Sequence, residues 1–338
     1  MKHVSHYFCV ELKVKQMNFR KVIFGALLVV AIIRCSNSEQ SEVVNEPGTK
    51  EALGAMLFLD PILSSDNTIS CGSCHIPSRA FADTVALSKG VGGKLGSRNT
   101  PSAMNLASHD IFFHDGRAES LELQAAGPIE NPVEMNLPVT EAVKKLNANK
   151  NYVAFFKKLY KESPTKENLL DALATFERTL ETSNTPFDKY MNGDTTAVSE
   201  SAKRGQKIFN IKGKCFDCHF GPDFTRDDFK SIGLYNGKEL NDVGRFGVTK
   251  DSADIGKFKV PGLRNIAVTG PYMHNGMFKT LTEVIDYYNE PQKFVKGSIN
   301  MDTLMLTPIN LTTQDKADLL EFLKTLTDEQ FKAVARKD

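Results

Sequence analysis

Two pentapeptides, Cys71-Gly72-Ser73-Cys74-His75 and Cys215-Phe216-Asp217-Cys218-His219, constrain this chain more than any other feature. Cys-x-x-Cys-His is the pattern in which two thiols add to the vinyl groups of a haem and the adjacent His binds its iron. Each copy therefore calls for a covalent haem c and a fold able to enclose it. With six Cys and seven His in 338 residues, chance supplies such a pentapeptide in only a few of about a thousand chains. A zinc site would need paired ligands at metal-binding spacing elsewhere, and a redox dithiol would sit in a βαβ context. Neither pattern is found, and the two remaining cysteines, Cys9 and Cys35, precede the region of the motifs, so the mature fold needs no disulfide.

Each pentapeptide belongs to a longer repeat. Leu53-Gly54-Ala55-Met56-Leu57-Phe58 precedes the first and Phe81 follows its His by six residues; Arg204-Gly205-Gln206-Lys207-Ile208-Phe209 precedes the second and Phe224 follows by five. The unit reads as a short helix, a Cys-bearing turn and an aromatic. Leu169, Leu173, Phe176 and Leu180 fall at helical spacing, as do Leu319, Phe322, Leu323 and Leu326, with Thr312 or Thr313 as cap. Period-two alternation is scarce. Residues 182–199 turn polar and irregular around Pro186 and Asn192-Gly193 and read as a connection. The expectation is a mainly α protein of two cytochrome c-like haem domains with little β structure, spanning residues 50–190 and 196–338. A length of 338 residues accommodates two such cores.

Val22 to Ile33 is an apolar run of 12 residues behind Arg20 and Lys21, too short for a comfortable membrane span and laid out like an export signal. Residues 1–35 are read as that signal, with Met17 as the favoured start over Met1, and residues 36–49 as a flexible tether. Cys35 is a candidate lipid-attachment residue, although Arg34 stands where lipoprotein signals carry a small side chain. The expected compartment is the periplasm, with tethering through Cys35 as an option. Lys plus Arg is 42 against 41 for Asp plus Glu, a net charge of +1, which points to no nucleic acid partner.

Beyond the haem motifs, five blocks resemble the bacterial dihaem cytochrome c peroxidases and the related MauG enzymes. They are Arg98-Asn99-Thr100-Pro101-Ser102, Phe113-His114-Asp115-Gly116-Arg117, Gly127 to Met135 (GPIENPVEM), Phe176-Glu177-Arg178-Thr179-Leu180, and Val260 to Asn265 running on to Pro271-Tyr272-Met273-His274-Asn275-Gly276. The likeness covers roughly residues 50–330. It implies that the N-terminal haem is the peroxide site and that the C-terminal haem takes electrons from a small donor, a cytochrome c or a cupredoxin. It further implies that Glu134 is the distal acid-base carboxylate and Gln124 the distal amide. Cleaving a peroxide needs a proton moved from one oxygen to the other; a pocket carboxylate can accept and return it while an amide orients the substrate. Without the resemblance, Glu134 would be read as a surface acid and Gln124 as an exposed helix residue. Asn99, Thr269 and Pro271 match positions that hold an interface calcium through an amide and backbone carbonyls, suitable hard ligands. Arg98, Arg117 and Arg264 are candidate propionate partners. Homodimerisation is implied by the resemblance alone.

Three positions depart from the family pattern. Where peroxidases that need reductive activation carry a removable His ligand, this chain reads Ser88-Lys89-Gly90-Val91, which predicts an open, five-coordinate N-terminal haem. Fourteen residues past His274, where the peroxidases carry a Met ligand to the C-terminal haem, stands Tyr288, as in the MauG branch; Met301 and Met305 are the alternatives. A thioether favours reduced iron, whereas a phenolate favours ferric and higher states. Lastly, the inter-haem Trp of the family is His114 here, and the whole chain has no Trp. An imidazole is harder to oxidise than an indole, so His114 is either a poorer relay, a protonatable bridge, a ligand, or a hydrogen-bonded core residue. The leading reading is a peroxidase reducing hydrogen peroxide. The rivals are a MauG-like oxidase acting on a partner protein or small molecule, favoured by Tyr288 and Val91, and a non-catalytic dihaem electron carrier, for which Glu134 would be unnecessary.

Overall fold

The computed structural model describes residues 46–334. The apolar run 22–33, Met17, Cys9, Cys35 and most of the tether therefore lie outside the described residues. Twelve α-helices are found among those described: α1 (Lys50–Leu59), α2 (Cys71–Cys74), α3 (Leu121–Glu130), α4 (Val139–Ala148), α5 (Lys150–Tyr160), α6 (Lys166–Glu177), α7 (Pro186–Met191), α8 (Glu200–Lys207), α9 (Phe246–Thr249), α10 (Leu281–Asn289), α11 (Pro291–Phe294) and α12 (Thr313–Lys324). The sheet structure is one antiparallel pair of two-residue strands, β1 (Phe229–Lys230) and β2 (Phe258–Lys259), which agrees with the scarcity of alternating sequence. None of these helices is long and apolar enough to cross a membrane.

The repeat in sequence becomes a repeat in packing. The helix ahead of each haem motif crosses a later helix of its own half, α1 against α6 and α8 against α12. A glycine makes each crossing close: a Cβ on Gly54 would lie 2.0 Å from the Ala172 carbonyl oxygen, and one on Gly205 would lie 1.9 Å from that of Asp318. Backbones that approach this near leave no room for a methyl group. Gly54→Ala is therefore expected to cost about 2–3 kcal/mol, read as a lowered urea midpoint of the holoprotein with an unchanged slope. Two principal apolar cores follow, one built from Leu53, Phe58, Ile129, Phe156 and Leu173 and the other from Phe209, Leu281, Ile285, Phe322 and Leu326.

Two local expectations change. Helix α6 stops at Glu177, so Leu180 does not continue the face of Leu169 and Leu173 but packs in a third cluster with Ala80, Met104, Val268 and Phe331. That cluster draws on both halves of the chain. The polar stretch 182–199 is also less free than its composition suggests. Thr185 caps α7 within it, and Asp328 accepts the Ser183 and Asn184 amides at 3.2 and 3.1 Å. Thr312, rather than Thr313, caps α12, in a reciprocal box with Asp315.

Candidate functional site

Both Cys-x-x-Cys-His segments close with the same backbone hydrogen bond, the first as a turn of α-helix and the second as a turn of 3-10 helix. The His75 amide donates to the Cys71 carbonyl and the His219 amide to that of Cys215, each at 2.8 Å. His75 Nδ1 then donates to the Phe81 carbonyl at 3.0 Å and His219 Nδ1 to the Phe224 carbonyl at 2.9 Å. The two acceptors share an unusual backbone, φ of 54° at Phe81 and 56° at Phe224. A donating Nδ1 fixes the tautomer and leaves Nε2 with its lone pair, the state in which imidazole binds iron. Burial lowers the pKa of both rings, which keeps them neutral. It also raises all four thiols, Cys215 to about 12. That is the opposite of the depressed thiol that a redox dithiol requires, and it suits sulfurs destined to become thioethers.

A cavity of about 500 Å³ opens beside Cys71, Cys74 and His75, and both Gln124 and Glu134 line it. Its size and the pairing of an iron-binding imidazole with two thiols fit a haem. Helix α3, capped by the Ser120 side chain, carries Gln124 on its second turn. Glu134 follows that helix in a tight turn: its amide donates to the Asn131 carbonyl, and Asn131 Nδ2 donates to Glu134 Oε1 at 2.6 Å. Burial raises the Glu134 pKa from its ordinary value, opposed by the Asn131 hydrogen bond and by Arg117. The adjoining segment is tied to this turn, the Val91 amide donating to the Glu134 carbonyl at 2.8 Å. Gly90, and not Val91, lines the wall; a Cβ there would lie 2.2 Å from the Val133 carbonyl oxygen and 2.4 Å from that of Glu134. Position 90 must be glycine for Glu134 to sit where it does, a constraint that sequence reasoning did not recognise.

A second repeat, also missed, organises the region between the motifs. Phe112 to Leu121 and Tyr272 to Leu281 both run aromatic-x-His-Asp/Asn-Gly, then Ser/Thr-Leu. In each, a bridge closes the loop (Phe112 with Ala118, Tyr272 with Phe278). Gly116 and Gly276 adopt φ of 69° and 66°, and Ser120 or Thr280 caps the helix that follows. In this register His114 matches His274, and Tyr288 matches Pro128, which lines the first cavity. Tyr288 stands near the second Cys pair: burial first, and then Tyr287, Cys215 and Cys218, push its phenol up. Tyr287 faces elsewhere, its hydroxyl donating to the Ile232 carbonyl at 2.5 Å. Met301 packs against Gly233 and Met305 against the second core.

The two loops meet through Asn99. Its amide donates to the His274 carbonyl at 2.7 Å, and its own carbonyl accepts from His114 Nε2 at 2.9 Å. Asn99 Nδ2 donates to the Val85 and Ala86 carbonyls, both at 3.1 Å. This seats Asn99 against His274, three residues beyond Pro271, with Thr269 just ahead of the cis Gly270–Pro271 bond. His114 is thus a hydrogen-bonded wall residue of the cavity, and burial keeps its ring neutral. His274 stacks on Phe258 at 3.8 Å, its pKa brought down to about 4 mainly by burial. Arg98 ties the loops together, bidentate to Asp242 at 2.7 and 2.8 Å and bonded to Asp115 at 2.7 Å. Arg117 also pairs with Asp115, while Arg264 holds Asp188 and Asp223. All three arginines are engaged with protein carboxylates.

Known proteins resemble the chain along nearly all of the described residues. Residues 48–196 match the family model described as di-haem cytochrome c peroxidase, and residues 202–327 match that of cytochrome c. The chain is 38% identical over 284 residues to the methylamine utilization protein MauG of Methylorubrum extorquens, covering 83% of this chain and 78% of that protein. It is 39% identical over 308 residues to the cytochrome c peroxidase Ccp of Escherichia coli (86% and 63% covered) and 35% identical over 312 residues to the cytochrome c551 peroxidase of Nitrosomonas europaea (90% and 89%). Among solved structures, a MauG-like protein associated with microbial copper homeostasis superposes with a TM-score of 0.75 at 32% identity, covering 84% of this chain and 92% of that one.

Proposed function

The chain belongs to the family of di-haem cytochrome c peroxidases and MauG proteins, and from that membership we propose that it reduces hydrogen peroxide to water in the N-terminal cavity. The electrons come from a small donor, a cytochrome c or a cupredoxin, through the C-terminal haem. One observation carries the reading: the cavity that takes the first Cys-x-x-Cys-His motif also collects Glu134 and Gln124. Residues 50–190 form the peroxidatic haem domain in this reading and residues 196–338 the electron-transfer one. Cys71, Cys74 and His75 would hold the first haem, and Cys215, Cys218, His219 and Tyr288 the second. When bound, the haems supply the iron that binds and cleaves peroxide at the first site and relays single electrons at the second.

The chain's own residues do the rest. Glu134, raised by burial, accepts a proton from one peroxide oxygen and returns it to the other, and Asn131 fixes the carboxylate for that exchange. Gln124 orients the substrate from α3. Val91 stands where reductively activated relatives keep a removable His, and an isopropyl side chain cannot bind iron, so peroxide would have access in the resting, oxidised state. Low-temperature EPR of the oxidised holoprotein is expected to show one high-spin and one low-spin haem; two low-spin signals would refute the open site.

Asn99 with the Thr269 and Pro271 carbonyls is proposed to hold a calcium ion at the junction of the two loops. Export to the periplasm, a lipid anchor at Cys35 and a homodimer are proposed from sequence and family alone. Tyr288 favours a second reading, MauG-like oxidation of a partner protein or small molecule, because a phenolate stabilises oxidised iron. His114 in place of an indole weakens it. Peroxide consumption with reduced cytochrome c separates the two, since only a peroxidase oxidises the donor in proportion to peroxide.

A further inference from the structure

Glu177, the last residue of α6, is only 7% exposed and lines the same cavity. No hydrogen bond or ion pair joins its carboxyl to another described residue, and its oxygens are not among the fully enclosed polar atoms that lack a partner, so they open onto the cavity. A buried carboxyl without a partner is costly, and folds retain one only where it is neutral or where something else completes it. The charges that face it are Arg178, next in sequence, and Glu122 on α3. Those two pair with each other at 2.8 Å, and their side chains are 42% and 32% exposed, so they reach solvent on the outer side of Glu177. On its inner side lie Cys71 of α2, a neutral thioether once haem is attached, and the cavity.

The proton balance of the reaction gives such a residue a task. Hydrogen peroxide plus two electrons and two protons yields two water molecules. Glu134 moves a proton from one oxygen to the other and is restored, so both consumed protons must enter the cavity from solvent. We propose that Glu177 is the proton-entry relay of the N-terminal cavity, loaded from solvent beside the Arg178–Glu122 pair and discharged into the cavity in each turnover. This rests on the peroxidase reading and deepens it. Other acids along the cavity are unsuited. Asp115 is bonded to both Arg98 and Arg117, which hold it below the usual carboxylate range, so it is no proton source near neutrality. Burial, by contrast, pushes Glu177 up to about 8, with Arg178 opposing and Glu122 adding. At neutral pH it holds its proton and can still release it. Glu177 acts through cavity water and Glu134 and does not touch peroxide, so it is a positioning residue and not a catalytic one.

The test uses wild-type holoprotein with Glu177→Gln, which preserves shape, and Glu177→Asp, which preserves the acid. Infrared spectra recorded across the pH range should contain a protonated-carboxyl C=O band that moves in D2O and disappears around pH 8. That band should be missing from Glu177→Gln. Peroxide turnover in Glu177→Gln should fall by at least about tenfold, with a larger solvent isotope effect and an unchanged Soret spectrum, and Glu177→Asp should recover part of the loss. Wild-type turnover and isotope effect in Glu177→Gln, or a wild-type protein without the titrating band, overturns the proposal while leaving the peroxidase reading intact. Wild type that consumes no peroxide overturns both.

Discussion

Glu134→Gln is expected to lower peroxide turnover by about 10²–10⁴-fold with both haems still attached. The substitution is close to isosteric. Gln can keep the hydrogen bond from Asn131, which now reaches Oε1 at 2.6 Å, and the backbone bond between Val91 and residue 134 is untouched. Only the ability to take and return a proton is lost. Asn131→Ala should have a smaller effect, because the carboxylate would remain while losing its orientation. The pH dependence has a definite sign. Glu134 must be ionised to accept the proton, so turnover falls as pH drops through its pKa. Burial raises that pKa, so the acid limb of the kcat/KM profile should lie at higher pH than an exposed carboxylate would give and vanish in Glu134→Gln. A Glu134→Gln enzyme that keeps wild-type turnover would remove the carboxylate from the mechanism, whatever its place in the cavity.

The parts of this site that were legible in the sequence share a property: their chemistry is written in local spacing. Cys71, Cys74 and His75 are three of five consecutive positions, and the turn they require is made within the segment by the His75 amide and the Cys71 carbonyl. The helix crossing at Gly54 was half visible, since the Gly recurs before each motif, but its partner Ala172 lies over a hundred residues away. Glu134 and Gln124 needed the family resemblance, because nothing local distinguishes a pocket acid from a surface one. Glu177 could have been found. It follows Leu169 and Leu173 at i, i+4, i+8, on the buried face of α6, where a carboxylate is out of place. The second repeat was hidden because its two copies keep only the residues that the loop geometry demands: the aromatic, the His, the left-handed Gly and the capping hydroxyl. The coupling of the halves through Asn99, Arg98 and Asp242 leaves no periodic trace, being made of single contacts between distant loops.

Tyr288→Met is expected to raise the midpoint potential of the C-terminal haem on the order of a few hundred millivolts, since axial ligation is the main lever on haem potential. Placement argues for Tyr288 over its neighbours. Tyr287 is fully buried with its hydroxyl committed to the Ile232 carbonyl. Met301 lies against Gly233, and Met305, like Tyr288, packs against the second core. Tyr288 feels both Cys215 and Cys218, and its counterpart in the loop repeat, Pro128, lines the first cavity. Burial alone would keep the phenol protonated; an iron held by Tyr288 would reverse that, because a bound cation stabilises the deprotonated ligand. The fold should survive, as the substitution gives up an edge-on contact with Tyr287 and some volume, about 1–2 kcal/mol. Tyr288→Phe supplies the control, removing the donor atom without adding a thioether. If Met301 or Met305 is the ligand instead, both Tyr288 variants will keep the wild-type potential, and Met301→Leu or Met305→Leu will shift it. The result also decides how the protein works. A phenolate on the iron would lower the potential and stabilise the oxidised state, whereas the raised potential of Tyr288→Met should let a donor cytochrome c reduce a larger fraction of the C-terminal haem and speed donor-dependent peroxide turnover.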